Sequence, residues 1–367
     1  MTRIVHIALP LAGVGVYISL LAKNISSEFE NSVICNQKED IIDLKNTDGS
    51  HLEIHHVDIK RKINIINDIR CLIKIIKILK NINPDIIHCH SAKPGILGRI
   101  AGFILSKKTF YTPHAYSYLS SESKYKKLFY KTLERFFGLL PAFTLTCSDS
   151  EYNKAIFDLK IKKDKVFVWK NSIEDIFDIE TETKKYKNND FLCSIGRPSY
   201  QKNTLLLVKS ILKIKKKRPN IHLVLLGVGF YSPSLKKTEN FIRDHNLETN
   251  ITLIPWLKRI ESLSILKKSK LFISTSRYEG LSYATLEAFA LGKPCVLTNV
   301  DGNKDLIEDG VNGYLVKEDS EDISKKVIAL LDNTYLLNKM SCNSRKTYED
   351  FYNIKNNITL LEELYLR

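Results

Sequence analysis

Nowhere in the 367-residue chain is there an apolar run able to cross a bilayer. A span needs about 20 nearly uncharged residues. The most apolar helical stretches, 63–79 and 95–105, are interrupted by Arg70, Lys74, Lys77 and Arg99. The opening MTRIVHIALPLAGVGVYI has the hydropathy of a leader, but Gly13 and Gly15 cut its apolar run. It reads as a first strand and turn, which places the protein inside the cell. There is no C-x-x-C pair, and the seven cysteines are scattered and odd in number. That argues against a disulfide framework or a zinc site and fits buried thiols in a reducing compartment. His88-Cys89-His90 suggests a metal, but adjacent residues of a strand point to opposite faces. The three therefore do not meet on one ion, and the segment reads as core. The chain also lacks a D-x-D pair, any repeat at solenoid periods and any low-complexity tract.

What is present has the balance of a soluble globular protein: 44% hydrophobic and 26% charged residues. The length suits two domains. Net charge is +15, and residues 1–170 carry 26 Lys+Arg against 16 Asp+Glu. An anionic surface, membrane or nucleic acid, is one partner that explains this excess. The general abundance of Lys, Ile and Asn is the other explanation.

Short apolar runs at 4–9, 32–36, 52–57, 86–89, 109–112, 143–147 and 166–169 predict strands. They alternate with helical spacing, as at 63–79 and 124–137. The rhythm restarts with strands at 191–195, 221–226, 251–254, 271–275 and 295–298, separated by helices at 203–215, 235–245, 260–267 and 283–291. This alternation predicts two α/β domains, each a doubly wound, Rossmann-like parallel sheet, with ligand at the C-terminal strand ends in a central cleft. The expected division is 1–175, a polar linker at 176–190, a second domain at 191–345, and a helical tail at 346–367 that packs back on the first.

Three segments carry chemistry. After the strand FLCSIG comes Gly196-Arg197-Pro198-Ser199-Tyr200-Gln201-Lys202, two cations between a strand and a helix N-terminus, a pattern suited to a diphosphate. A solvated loop with two stray charges explains that segment equally well if it stands alone. Gly227 and Gly229 follow the next strand and allow close backbone approach, although Ser232 breaks a full G-x-G-x-x-G. In Arg277-Tyr278-Glu279-Gly280-Leu281-Ser282, a turn precedes a helix whose free N–H groups suit a phosphate. Glu279 lies before that turn, and Glu287 lies in an apolar helix where a carboxylate needs partners.

Together these segments resemble the family 4 retaining glycosyltransferases of the GT-B fold. The matching elements are GRPSYQKN, LLGVG, the Glu279 to Glu287 segment, GKPCV, DGNKDLIEDGVNGYLV and Asn171-Ser172-Ile173. PLAGVGVYISLLA, DIIHCHSAKPGILGRIAG and YTPHAYSY match more loosely in the first half. The resemblance implies that Arg197 and Lys202 bind the donor diphosphate, with Gly196 in their loop. It implies that Glu279 holds donor-sugar hydroxyls, that N–H groups of Gly280, Leu281 and Ser282 meet phosphate, and that Glu287 holds the ribose. Gly13 and Gly15 would form a glycine loop, and His114 would contact the donor sugar; on sequence alone His114 is as readily structural. Departures are Val16 after the glycine loop, Ser172 in place of a common Gly, and Asp305 in place of a common Glu. No cofactor or metal is implied, since the cations stand in for one.

By resemblance the donor is UDP-linked and the acceptor a polyprenyl-diphosphate-linked saccharide of bacterial O-antigen or capsule synthesis. Lys124, Lys126, Lys127, Lys131 and Arg135 share one predicted helix with Tyr125, Phe129, Tyr130 and Phe136, a mixture suited to an anionic membrane surface. That places the enzyme peripherally at the inner face of the cell membrane. An ordinary helix with one core face explains it as well. A sugar-nucleotide epimerase or phosphorylase would share the fold, and a nucleic-acid-binding protein would share the charge; no nucleic-acid motif accompanies it.

Overall fold

The computed structural model describes residues 1–10, 13–36, 44–179, 190–229 and 232–367. The chain forms two compact units, Met1–Glu174 with Ile354–Arg367, and Asp175–Asn353. The first is built on seven parallel strands: β1 (Thr2–Ile7), β2 (Phe29–Cys35), β3 (Glu53–His56), β4 (Ile86–His90), β5 (Lys108–Thr112), β6 (Phe143–Thr146) and β7 (Val166–Val168). Their order is β3-β2-β1-β4-β5-β6-β7. The crossovers include helices α1 (Gly13–Asn24), α2 (Ile65–Ile82), α3 (Ala92–Ile104), α4 (Lys124–Phe137) and α5 (Asp149–Asn153).

The second unit repeats the plan with six parallel strands: β8 (Leu192–Ile195), β9 (Leu223–Val228), β10 (Ile251–Pro255), β11 (Leu271–Ser274), β12 (Cys295–Thr298) and β13 (Gly313–Val316). Their order is β10-β9-β8-β11-β12-β13. Its helices are α6 (Thr204–Lys217), α7 (Leu235–Asp244), α8 (Arg259–Lys268), α9 (Tyr283–Ala290), α10 (Ser320–Asp332) and α11 (Thr334–Phe351), and α12 (Ile354–Leu366) completes the chain. In both sheets the winding reverses beside the first strand, at β1/β4 and at β8/β11. Such switch points are where doubly wound sheets offer ligand sites.

Local sequence explains the elements. The strands are near-continuous apolar runs because helices cover both faces of a parallel sheet; β12, CVLT, is wholly buried. Helix α2 starts where Asn64 accepts the Asn67 N–H, and stops where Asn83 turns left-handed and donates to Leu79 O. Helix α3 lies close on the sheet because Gly95, Gly98 and Gly102 face it. A Cβ on Gly98 would stand 2.1 Å from Cys89 Sγ, and one on Gly102 would stand 2.0 Å from Thr109 Oγ1. In the first unit Val5, Ile7, Ile34 and Ile87 form the core with Ile75 and Leu79 of α2. In the second, Leu192, Leu225, Ile273 and Val296 pack with Leu207 and Ile211 of α6. All seven cysteines are free thiols, and only Cys342 is exposed.

Some boundaries differ from expectation. Gly13 and Gly15 are not loop residues; they lie in the first turn of α1, and Leu11 and Ala12 before them lie outside the described residues. Strand β13 was not anticipated, because GYLV sits inside a segment rich in turn residues. Most of the expected linker, 180–189, lies outside the described residues. Asp175–Ile179 belong with the second unit, where Arg345 grips Asp175 and Lys267 Nζ donates to the carbonyls of Phe177 and Ile179. The expected tail start at 346 falls inside α11. The chain passes back to the first unit at Ile354, whose N–H donates to Ile173 O. There Trp169 Nε1 donates to Asn357 O, and the Tyr365 hydroxyl lies 2.6 Å from His88 Nδ1.

Three imidazoles, His6 on β1 and His88 and His90 on β4, are completely buried. Burial lowers His6 to about 4 and holds His88 and His90 well below the ordinary histidine value. The unfolded chain therefore binds protons first, near pH 6.5, and folding stability falls as pH drops from there toward 4. At pH 5.5 each buried imidazole costs about 1.4 kcal/mol relative to pH 7.5. Urea titration of the first unit's transition at these two pH values should show the loss, and equal midpoints would contradict it.

Candidate functional site

In the second unit the expected residues gather at the β8/β11 switch point. The loop after β8 carries Gly196, Arg197 and Lys202 and ends at Asn203, a left-handed residue that starts α6. The segment after β11 is stitched to this loop. Thr275 Oγ1 donates to the carbonyls of Lys202 and Asn203, and the Arg277 N–H donates to Gln201 O. The Arg277 guanidinium donates to Tyr200 O and lies 4.4 Å over the Tyr200 ring.

The product of this stitching is one held carboxylate. Glu279 is buried, and its Oε1 accepts from Lys202 Nζ at 2.7 Å and from Ser276 Oγ at 2.6 Å. Its Oε2 accepts from Gln201 Nε2 at 3.2 Å. Its backbone N–H donates to Asp301 O, and Gly302 then passes so close that a Cβ would meet Glu279 Cβ at 2.7 Å. Gly302 also has φ +82°, a left-handed conformation that needs glycine. Asp305, the shortened carboxylate, accepts the Gly302 N–H at 2.9 Å and so closes this turn. Arg197 is near enough to Tyr278 to oppose the burial and the Glu279 charge that push that phenol up to about 12.

Helix α9 begins as its sequence predicts. Ser282 is its N-cap and accepts the Thr285 N–H, and Gly280, Leu281 and Ser282 are buried in the turn before it. Glu287 lies in α9 and accepts from Arg259 Nε of α8 at 3.0 Å. Burial raises its carboxyl, and Arg259 opposes the rise. Gly227 is left-handed at φ +82° and abuts the backbone of Gly196. Among the described residues a Cβ on Gly229 would meet no atom, and the Gly229 N–H donates to Ser232 Oγ; Phe230 and Tyr231 lie outside the described residues. Gln201, Ser276 and Arg259 were not singled out from sequence. The first two adjoin motif residues, whereas nothing marks Arg259, 28 positions from its partner.

In the first unit His114 follows β5 and is half-buried. His114 and Ala115 have φ of 51° and 73°, two successive left-handed non-glycine residues. Such backbone costs about 1–2 kcal/mol per residue and persists only where its surroundings enforce it. The His114 ring stacks on His90, with Nε2 3.1 Å from His90 Nδ1. His88 and His90 share one face and meet His6, while Cys89 points into the core on the other. The nitrogens of the three histidines lie within 4.8 Å of one another, spacing that a metal would also accept. Those nitrogens are engaged in hydrogen bonds: His6 with His90 and Asn31, and His88 with Tyr365 and Thr112.

Comparison with known proteins finds relatives that span both units. A family model described as Glycosyltransferase Family 4 matches residues 11–175, and one described as Glycosyl transferases group 1 matches residues 175–347. The chain is 28% identical over 353 residues, 93% of its own length and 90% of the other's, to the UDP-Gal:alpha-D-GlcNAc-diphosphoundecaprenol alpha-1,3-galactosyltransferase of Escherichia coli. It is 29% identical over 266 residues to the O-antigen biosynthesis glycosyltransferase WbnH of Escherichia coli, covering 72% of this chain and 73% of that one. Among solved structures, HepE of Anabaena in complex with UDP-glucose superposes with a TM-score of 0.83 at 16% identity, covering 99% of each chain. That last likeness is one of fold.

The Lys202–Glu279 pair should be energetically coupled. Lys202→Met leaves a buried carboxylate without its counter-charge and should destabilise the second unit by about 1–3 kcal/mol. Adding Glu279→Gln should recover part of that loss. Urea denaturation of the single and double variants checks this, and strictly additive losses would show that the two groups do not act together.

Proposed function

Because the chain belongs to the family 4 glycosyltransferases of the GT-B fold, we propose that it transfers a hexose or N-acetylhexosamine from a UDP-linked donor, with retention of configuration, to a saccharide carried on a polyprenyl diphosphate. The product would enter a bacterial surface polysaccharide of the O-antigen or capsule type. The observation that carries this reading is the Lys202–Glu279 pair beside Arg197 at the β8/β11 switch point. Similarity to the galactosyltransferase named above supports both the donor nucleotide and the lipid-linked acceptor.

The chemistry follows from charge. Breaking the bond between sugar and diphosphate develops positive charge on the sugar and negative charge on the leaving UDP. Arg197 and the Lys202 ammonium meet the second charge, a preorganised electrostatic contribution that asks for no metal. An ammonium has three N–H donors, of which Glu279 takes one, so Lys202 can grip a phosphate oxygen while it stays anchored. A carboxylate has about four acceptor sites, and Glu279 has three filled from within the protein. The remaining one suits a donor-sugar hydroxyl. Glu287, oriented by Arg259, holds the ribose, and His114 contacts the donor sugar. In this reading the acceptor hydroxyl attacks from the leaving-group side, so the glutamates bind donor rather than form a double-displacement pair.

The lipid acceptor gives meaning to α4. Its surface leaves Tyr125, Leu128, Phe129 and Phe136 exposed, with Leu139 just beyond its end. Lys124, Lys126 and Lys127 lie among them, and of the helix only Glu134 is fully buried. Apolar side chains between cations match an anionic membrane surface.

The test is incubation with a panel of UDP-sugars and polyprenyl-diphosphate-linked saccharides, read as UDP release, product mass and anomeric configuration. UDP should form only when acceptor is present, and the new bond should keep the donor's configuration. If no nucleotide sugar is consumed, the proposal fails. Glu279→Ala should lose at least about 100-fold in turnover while keeping its circular dichroism. Replacing Lys124, Lys126 and Lys127 by Glu should weaken co-sedimentation with phosphatidylserine-containing vesicles about tenfold or more. Unchanged sedimentation would remove the membrane role of α4.

A further inference from the structure

We propose that His6, His90 and Glu151 are positioning residues for His114, holding its ring in one tautomer and its backbone in the left-handed turn. The proposal rests on the reading that His114 contacts the donor sugar. Two independent sets of contacts converge on this residue.

The first set holds the backbone. Glu151, buried on α5, accepts the Ala115 N–H at 2.6 Å through Oε1 and the Cys147 N–H at 2.8 Å through Oε2. One carboxylate thus staples the turn after β5 to the end of β6. It bonds the very residue whose φ of 73° follows the 51° of His114. Glu151 is itself placed by Ser148, whose Oγ accepts the Glu151 N–H.

The second set holds the ring through a chain of hydrogen bonds. Asn31 Oδ1 lies 3.2 Å from His6 Nε2, and His6 Nδ1 lies 3.0 Å from His90 Nε2. His90 Nδ1 lies 3.1 Å from His114 Nε2, and His114 Nδ1 lies 3.7 Å from Cys147 Sγ. Each neutral imidazole has one donor and one acceptor, and a carbonyl oxygen only accepts. His6 must therefore donate from Nε2 to Asn31, which leaves its Nδ1 to accept from His90 Nε2–H. His90 Nδ1 then accepts from His114 Nε2–H, which leaves His114 Nδ1 as the acceptor at the end of the chain, 3.7 Å from the Cys147 Sγ that Glu151 also engages. One terminal acceptor sets the tautomer of three rings in succession. The Asn31 amide nitrogen is buried without a partner among the described residues.

Burial keeps the chain neutral. It lowers His6, His90 and His114 below the ordinary histidine value and pushes the Cys147 thiol up, where the nearby Glu151 reinforces the effect. The titratable groups that face His114 are His90 of β4, His6 of β1 behind it, Cys147 and Glu151 at β6 and α5, and Tyr17 of α1, whose ring stands edge-on at 4.7 Å. Glu151 is already committed to two backbone N–H groups. A neutral imidazole suits a site where positive charge grows on the sugar, because a protonated ring would oppose it.

The test has two arms, both on the full chain. In the first, histidine is labelled with nitrogen-15 and its two-bond proton correlations are followed from pH 8 to pH 5.5. His6, His90 and His114 should share the Nε2–H tautomer and stay neutral throughout. Mixed tautomers, a His114 titration near pH 6.5, or a stoichiometric transition metal in the purified protein would overturn the chain. In the second arm, His90→Phe and Glu151→Ala should lower kcat about 10- to 100-fold while the UDP-sugar KM changes less than about threefold. His90→Asn, which restores an amide near the Nδ1 position, should recover at least half of the lost kcat on a logarithmic scale. Unimpaired kcat in His90→Phe and Glu151→Ala, with His114→Ala impaired, would overturn the positioning roles alone. A His114→Ala variant with wild-type turnover would overturn the reading of His114 itself, whatever the tautomers show.

Discussion

A parallel sheet covered by helices on both faces has no wet side, and this constraint shapes everything functional in the chain. Polar side chains within or just beyond such strands must find partners inside the protein, since unpaired burial costs about 1–3 kcal/mol per group. The chain nevertheless places His6, His88 and His90 in the two strands at the centre of its first sheet. It also places Glu279 just past the central strand of its second. Each of these groups has its partners, and in both sheets the paired polar groups fall at the switch point, where the helices diverge and backbone groups are open to ligand.

The energetics of Glu279 differ from those of a surface ion pair. Exposed pairs contribute little, but this carboxylate is 8% exposed and Lys202 is 23% exposed in its side chain. Desolvation there is met by three hydrogen bonds rather than by the ion pair alone. The result is a cation and an anion held at fixed positions by the protein itself. Glu287 follows the same logic with less burial on its partner's side: Arg259 has 42% of its side chain exposed.

Much of this was legible in the sequence, for physical reasons that differ by element. The strands of both sheets announce themselves because double-sided burial demands unbroken apolar runs. The loop from Gly196 to Lys202 and the turn from Glu279 to Ser282 were legible as strand-to-helix junctions because of their glycines, and their charges gained meaning only as members of an ordered set of segments. The partners were not. Arg259 reaches Glu287, and Asn31 reaches His6, through strand order and helix packing that no local pattern encodes. Strand alternation correctly separates Cys89 from His88 and His90, yet it cannot say that β1 brings His6 between them and Asn31. Helix α11 runs through the expected start of the tail because its helical pattern continues past 346. The return to the first unit is marked only by the short break at Tyr352 and Asn353.

The two units solve opposite electrostatic problems with the same fold. In the second, cations and a helix N-terminus converge after the central strand, an arrangement suited to an anion. In the first, the corresponding strand ends carry imidazoles, the one side chain whose charge is ordinarily undecided near neutral pH. Burial and mutual hydrogen bonding decide it in favour of the neutral form. A lysine in those positions would carry its charge into the sheet or lose it at great cost, and an aliphatic residue would offer His114 no partner. Histidine alone supplies both a donor and an acceptor on a rigid, uncharged ring, which is what a chain passing from strand to strand across a buried sheet requires.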